Sequence, residues 1–222
     1  MDVDISICIP THERPKLFER CINSVIDNVP KNLSVDVFVN NDTNDIDEIY
    51  TDKISINYSY NKTDSLVEMY YSLVNTATGK YIYILEDDDY ILPGFFSGVT
   101  CESDIYFNEY ISKPILQDLG PRDHDKRMRC NRKLKNITNP QLFFENMDSR
   151  DFQFSQIIFL RKYIDILAKL KVHWEPNSIV NDFNVLKYVC LSAKTITYMS
   201  GYRWVQTIDS GNNLSFSEQE KK

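Results

Sequence analysis

Three short apolar stretches in the N-terminal part of the chain each run directly into a polar cluster, and that repeated pairing restricts the fold more than any other feature. Ile5 to Ile9 is an apolar, β-branched run closed by Pro10 and followed by Thr11-His12-Glu13-Arg14. Val35 to Val39 stops at Asn40-Asn41-Asp42, and Tyr81 to Leu85 stops at Glu86-Asp87-Asp88-Asp89. Such runs read as strands buried on both faces. After the first, Leu17, Phe18, Cys21, Ile22, Val25 and Ile26 recur at helical spacing, and the stripe ends before Pro30. Ile54 to Tyr60 alternates as a further strand. Asp64 with Ser65 and Glu68 has the spacing of a capped helix start; Leu66, Met69, Tyr70, Leu73, Val74 and Ala77 supply the apolar face, and Gly79 is placed to end the helix. Alternation of strand and helix predicts a mostly parallel sheet with helices on its faces.

Beyond Pro93 the pattern loosens. Asp104 to Tyr110 and Phe152 to Leu160 read as strands, Gln141 to Met147 as a short helix, and Arg161 to Leu170 and Ser178 to Leu191 as longer helices. Segment 121–136 reads as a charged loop, and the tail from Ser215 to Lys222 as frayed. With 222 residues, 42% of them hydrophobic, the chain can bury one sizeable core, so a single domain is expected. Its five cysteines are widely spaced without a Cys-x-x-Cys pair, which reads as reduced, mostly buried thiols. The start Met-Asp-Val-Asp lacks the basic and apolar regions of a signal peptide, and no apolar run approaches ~18 residues, so a soluble cytoplasmic protein is expected.

Four adjacent carboxylates repel one another and persist in a fold only where water, a metal or basic groups compensate them. Residues 86–89 are therefore a candidate metal site. In a parallel sheet the three polar clusters gather on one edge, where open α/β sheets bind their ligands. That edge would offer acceptors for a base and a ribose, together with carboxylates for a cation.

The chain resembles the family 2 glycosyltransferases, enzymes of the GT-A fold that use nucleotide-activated sugars. The resemblance rests on Ile7-Cys8-Ile9-Pro10-Thr11-His12-Glu13-Arg14, on Val37-Phe38-Val39-Asn40-Asn41-Asp42, on Ala77-Thr78-Gly79-Lys80-Tyr81-Ile82, and on Leu85-Glu86-Asp87-Asp88-Asp89 with Pro93. It implies a Rossmann-like, mostly parallel sheet flanked by helices, with a smaller mixed region on the acceptor side. Residues 1–97 would form the nucleotide-sugar-binding half and 98–214 the acceptor-side half. Thr11 and His12 would lie against the base, with Glu13 and Arg14 beside them; Asp42 would hydrogen-bond the uracil and Asp87 would lie near the ribose. Asp88 matches the metal-binding aspartate, with Glu86 and Asp89 as supports, and the ion implied is Mn²⁺ or Mg²⁺. Lys62 would assist as a phosphate contact.

Inverting transfer needs a carboxylate that removes the proton from the acceptor hydroxyl. The segment Ile179 to Leu186 resembles the family's late-helix base site, with Asn181 where a Glu is usual, which makes Asp182 the base candidate. His173 and Trp174 would line the acceptor pocket, and Arg203 would reach the diphosphate. From Arg122 to Lys135, seven Lys or Arg and two Asp give +5 inside a chain of −7. That loop, through Arg127 and Arg129, suits an anionic partner: the donor diphosphate, an acidic glycan, a lipid phosphate or nucleic acid. The acceptor expected first is a glycan hydroxyl, and next a hydroxymethylated base in phage DNA. Two alternatives are a nucleotidyltransferase of related fold, against which the glycine-free turn after the first strand counts, and a silent nucleotide-sugar-binding module.

Overall fold

The computed structural model describes residues 3–62, 66–114, 132–147, 152–165 and 181–208. Strand β1 (Ile5–Thr11) leads into helix α1 (Pro15–Asn28), followed by β2 (Val35–Asn41), β3 (Ser55–Ser59), α2 (Leu66–Thr76) and β4 (Tyr81–Ile84). A two-residue strand β5 (Tyr90–Ile91) precedes β6 (Ile105–Pro114), α3 (Pro140–Glu145), β7 (Ile157–Leu160), α4 (Asn181–Ser192) and β8 (Ile196–Ile208). The strands among the described residues join one eight-stranded sheet in the order β3-β2-β1-β4-β7-β6-β8-β5. The block β3-β2-β1-β4 is wholly parallel. Strand β7 then runs antiparallel to β4 and β6, β8 is parallel to β6, and β5 is antiparallel to β8.

Two apolar layers cover the sheet. On one face Phe18, Cys21, Ile22 and Val25 of α1 pack against Ile5, Ile7, Ile9, Val37 and Val39. On the other, Tyr70, Leu73 and Val74 of α2 pack with Cys8, Ile82 and Ile84, and the layer continues through Phe143 and Val189 of α3 and α4. Pro15 opens α1 at a position whose N–H has no intrahelical acceptor, and Val29-Pro30 follows its end. Cys8, Cys21 and Cys190 are buried free thiols and Cys101 is half-buried; Cys130 lies outside the described residues. Among the described residues no helix is long and apolar enough to cross a membrane.

Several expected elements change. Helix α2 ends at Thr76, so Gly79 does not cap it. Gly79 is required instead by close approach to β1: a Cβ there would lie 2.5 Å from the Ser6 nitrogen, and the Gly79 N–H donates to Ser6 Oγ at 2.7 Å. The expected strand over 152–160 divides into a 3₁₀ turn (Phe154–Gln156) and β7. Within the helix expected over Arg161 to Leu170, Arg161–Tyr163 forms a 3₁₀ turn, Ile164 and Asp165 are helical, and 166–180 lie outside the described residues. Strands β5 and β8 were not expected. Strand β8 escapes an alternation test because its pairing with β6 shifts register between Asn108 and Tyr110, with Gly201 at φ +90° in the extra segment.

Candidate active site at the edge of the parallel strands

Register brings the three polar clusters together. Thr11 pairs with Asn41 across β1 and β2, and the Leu85 N–H donates to the Cys8 carbonyl at 3.0 Å, so the acidic turn 86–89 leaves the sheet beside Thr11.

At the β1–β2 corner, His12 Nδ1 lies 2.8 and 2.9 Å from the two Asp42 carboxylate oxygens. An ionised carboxylate only accepts, so the proton sits on Nδ1 and the ring orientation is fixed. Nε2 lies 4.0 Å from Glu13 Oε2, and the His12 side chain is 50% exposed. A planar, anchored, half-open ring can take a base against its face. Glu13 holds φ +52°, and its N–H meets Thr43 Oγ1 at 3.4 Å.

At the β1–β4 corner, Arg14 Nη1 lies 3.1 Å from Asp87 Oδ1 and 3.1 Å from Asp88 Oδ2. The Arg14 side chain is 13% exposed and both carboxylates are 7% exposed. Burial pushes the Asp87 carboxyl up to about 6, against the pull of the Arg14 charge. Burial also raises Asp89, reinforced by the neighbouring Asp88 charge. Two buried carboxylates thus converge on one point that holds a positive nitrogen.

The two supporting acids turn to structural partners. Glu86 accepts from the Tyr70 hydroxyl, and its own N–H donates to Ser155 Oγ at 3.2 Å. Asp89 Oδ1 accepts from the Thr207 N–H at 3.0 Å, which ties the acidic turn to the end of β8. Arg20 strengthens that tie. Its Nη2 donates to the Asp88 carbonyl at 2.7 Å and to Thr207 Oγ1 at 2.8 Å, and its guanidinium stands 4.7 Å from the Tyr90 ring centroid.

Among the described residues no group of three or more His, Cys, Asp or Glu forms a metal cage. Magnesium-type sites commonly use one or two carboxylates and complete their shell with phosphate oxygens and water. Asp87 and Asp88 fit that kind of site and no fuller one.

Other sequence-marked residues fall out differently. Lys62 is exposed at the end of the segment after β3. Buried Asn40 secures that segment: its Oδ1 accepts from the Asn61 N–H at 3.2 Å and from Ser59 Oγ at 2.9 Å, and its Nδ2 reaches the Asn61 carbonyl at 3.4 Å. Arg203 Nη1 donates to the carbonyls of Gly94, Phe95 and Ser97 at 2.8, 3.0 and 2.7 Å, so this side of the guanidinium clamps the loop after Pro93. Asp182 falls at the second residue of α4. Arg127, Arg129, His173 and Trp174 lie outside the described residues.

Arg20, Asn40, Ser155 and Thr207 were not marked from sequence. Only Asn40 carried a signal, as a polar residue directly continuing an apolar strand.

The model of the family described as glycosyl transferase family 2 matches residues 6–162. The chain belongs to glycosyl transferase family 2. Solved structures of S. aureus TarS share its fold. TarS 1–349 in complex with UDP-GlcNAc aligns at TM-score 0.65 and 16% identity, covering 96% of this chain and 61% of that one. The complex with UDP gives 0.60 and 16%, covering 93% and 61%, and a further TarS 1–349 structure gives 0.63 and 15%, covering 92% and 60%. The family 2 chain thus has the GT-A fold, and it spans 60–61% of the length of those TarS chains. Direct sequence comparison with curated proteins finds no match.

Proposed function

We propose that this family 2 member transfers a sugar from a uridine diphosphate sugar to an acceptor hydroxyl, with inversion, using a divalent cation. One observation carries the proposal: an anchored His12–Asp42 pair and a convergent Asp87–Asp88 pair stand on neighbouring strand ends of a parallel sheet. The first suits a base and the second suits the cationic side of a diphosphate. The TarS structures in complex with UDP-GlcNAc and UDP support a uridine nucleotide as the donor.

In this scheme the His12 ring stacks on the uracil while Asp42 holds the ring and offers an acceptor to the base N–H. Asp87, expected beside the ribose, converges with Asp88 on one point, and the two would hold Mn²⁺ or Mg²⁺, which when bound would offset negative charge growing on the leaving diphosphate. Lys62, on the segment pinned by Asn40, contacts phosphate. Asp182, on α4, takes the acceptor proton. The acceptor class is a glycan hydroxyl.

Calorimetric titration with UDP-GlcNAc, UDP and GDP, each with and without Mn²⁺, tests the donor side. Binding of uridine nucleotides that strengthens with Mn²⁺ and exceeds GDP is expected. Equal affinity for GDP, or none for any nucleotide, would overturn it.

A further inference from the structure

The Asp87–Asp88 pair already holds a cation, and it belongs to the protein. Arg14 Nη1 stands 3.1 Å from one oxygen of each acid. A divalent ion contacts carboxylate oxygens at roughly 2.0–2.6 Å. An ion on these same two oxygens and the Arg14 nitrogen would therefore claim one small volume, both carrying positive charge. We infer that Arg14 is the resident counter-cation of the Asp87–Asp88 pair and competes with the divalent ion, so that the ion enters together with the donor diphosphate and not ahead of it. The inference rests on the donor reading given above.

Two further observations support it. Arg14 occupies the cap position of α1, but its side chain makes no capping bond; the helix start is held by its backbone carbonyl, which accepts from the Leu17 and Phe18 N–H groups at 3.1 and 3.0 Å. The guanidinium can therefore leave the acids without unravelling α1. Its natural destination is the diphosphate, because guanidinium forks match phosphate oxygens. Second, no third acidic, His or Cys ligand joins the pair among the described residues. The ion's remaining coordination then has to come from the donor and water, which again couples its entry to the nucleotide.

While no donor is bound, Arg14 also keeps two adjacent buried carboxylates from facing each other uncompensated, a costly arrangement in a low-dielectric site. It is a positioning residue in this role, exchanging one anionic partner for another as the site fills.

Mn²⁺ binding, followed through the electron paramagnetic resonance signal of the free ion at pH 8 and fixed ionic strength, tests the inference with no turnover required. Wild type, Arg14→Gln, Arg14→Ala, Arg14→Lys and Asp88→Asn are compared with and without saturating UDP, after melting curves establish that each is folded. Wild type should bind Mn²⁺ at least tenfold tighter with UDP than without. Arg14→Gln and Arg14→Ala should bind Mn²⁺ without UDP at least tenfold tighter than wild type, and gain less from UDP. Arg14→Lys should return toward wild type, and Asp88→Asn should lose Mn²⁺ in both conditions. Wild-type Mn²⁺ affinity in the two neutral variants, with the UDP effect intact, would overturn the competition while leaving the donor site standing. Absence of Mn²⁺ binding from every protein, with or without UDP, would overturn both. In wild type alone, the NMR signal of the Arg14 Nε–H group should move when Mg²⁺ and UDP are added together; an unmoved signal would overturn the exchange of partners.

Discussion

His12 illustrates how one contact converts a surface side chain into a binding element. Free, its ring would sample several rotamers; bonded to Asp42 it presents one face at the strand end. If that face stacks on the base, His12→Ala should weaken UDP binding about tenfold, within the ~1–3 kcal/mol typical of base stacking on a planar side chain. Titration calorimetry reads this directly, and unchanged affinity would remove His12 from the base site. Asp87 makes the second prediction at this scale. Its folded pKa is raised from 3.8 to about 6, chiefly by burial. Stability from the protonated form is complete below the unfolded value and is lost as pH rises through about 6. Asp87→Asn cannot ionise, so relative to wild type it should gain stability at pH 7–8 and lose that advantage by about pH 4, measured by denaturation with no nucleotide present. The acids themselves were legible because charge at the end of an apolar strand has few structural explanations. Their partners were not: Arg14 and Asp87 stand 73 positions apart, and nothing in either neighbourhood names the other. The loop contacts of Arg203 were hidden for the same reason, since its acceptors are backbone carbonyls that leave no mark on sequence.

Elements were legible in proportion to how completely they are buried. Strands β1, β2 and β4 are covered on both faces and appear as near-continuous apolar runs, with boundaries close to those expected. Strand β8 mixes Thr, Tyr, Ser, Gly and Gln around a register shift, so neither periodicity was visible. Its position matters nonetheless, because Arg20 and Asp89 fasten its C-terminal end to the acidic turn. The junction of β1 and the α2–β4 connection gives a sharp test. An alanine at Gly79 would bring its Cβ to 2.5 Å from Ser6 N and 2.9 Å from the Ile5 carbonyl carbon, both backbone atoms of a central strand. Gly79→Ala should therefore cost about 1–3 kcal/mol in chemical denaturation. A neutral outcome would mean that β1 and β4 yield more readily than central strands of a covered sheet should.

At the scale of the molecule, the parallel block β3-β2-β1-β4 explains why the site exists where it does. Parallel strands end on the same edge, so three clusters separated by tens of residues become neighbours without any long-range side-chain device. The mixed extension β7-β6-β8-β5 then closes behind the acidic turn and fixes it through Ser155 and Thr207. This division accounts for what sequence could reveal: strand-end chemistry follows from local pattern, whereas the brace behind it depends on pairings across most of the chain. The central claim, that the Asp87–Asp88 corner serves transfer from a nucleotide sugar, is tested most directly by UDP release from UDP-GlcNAc in the presence of Mn²⁺, comparing wild type with Asp88→Asn of equal melting temperature. Asp88→Asn should slow release by on the order of a hundredfold or more; release at the wild-type rate would contradict the account.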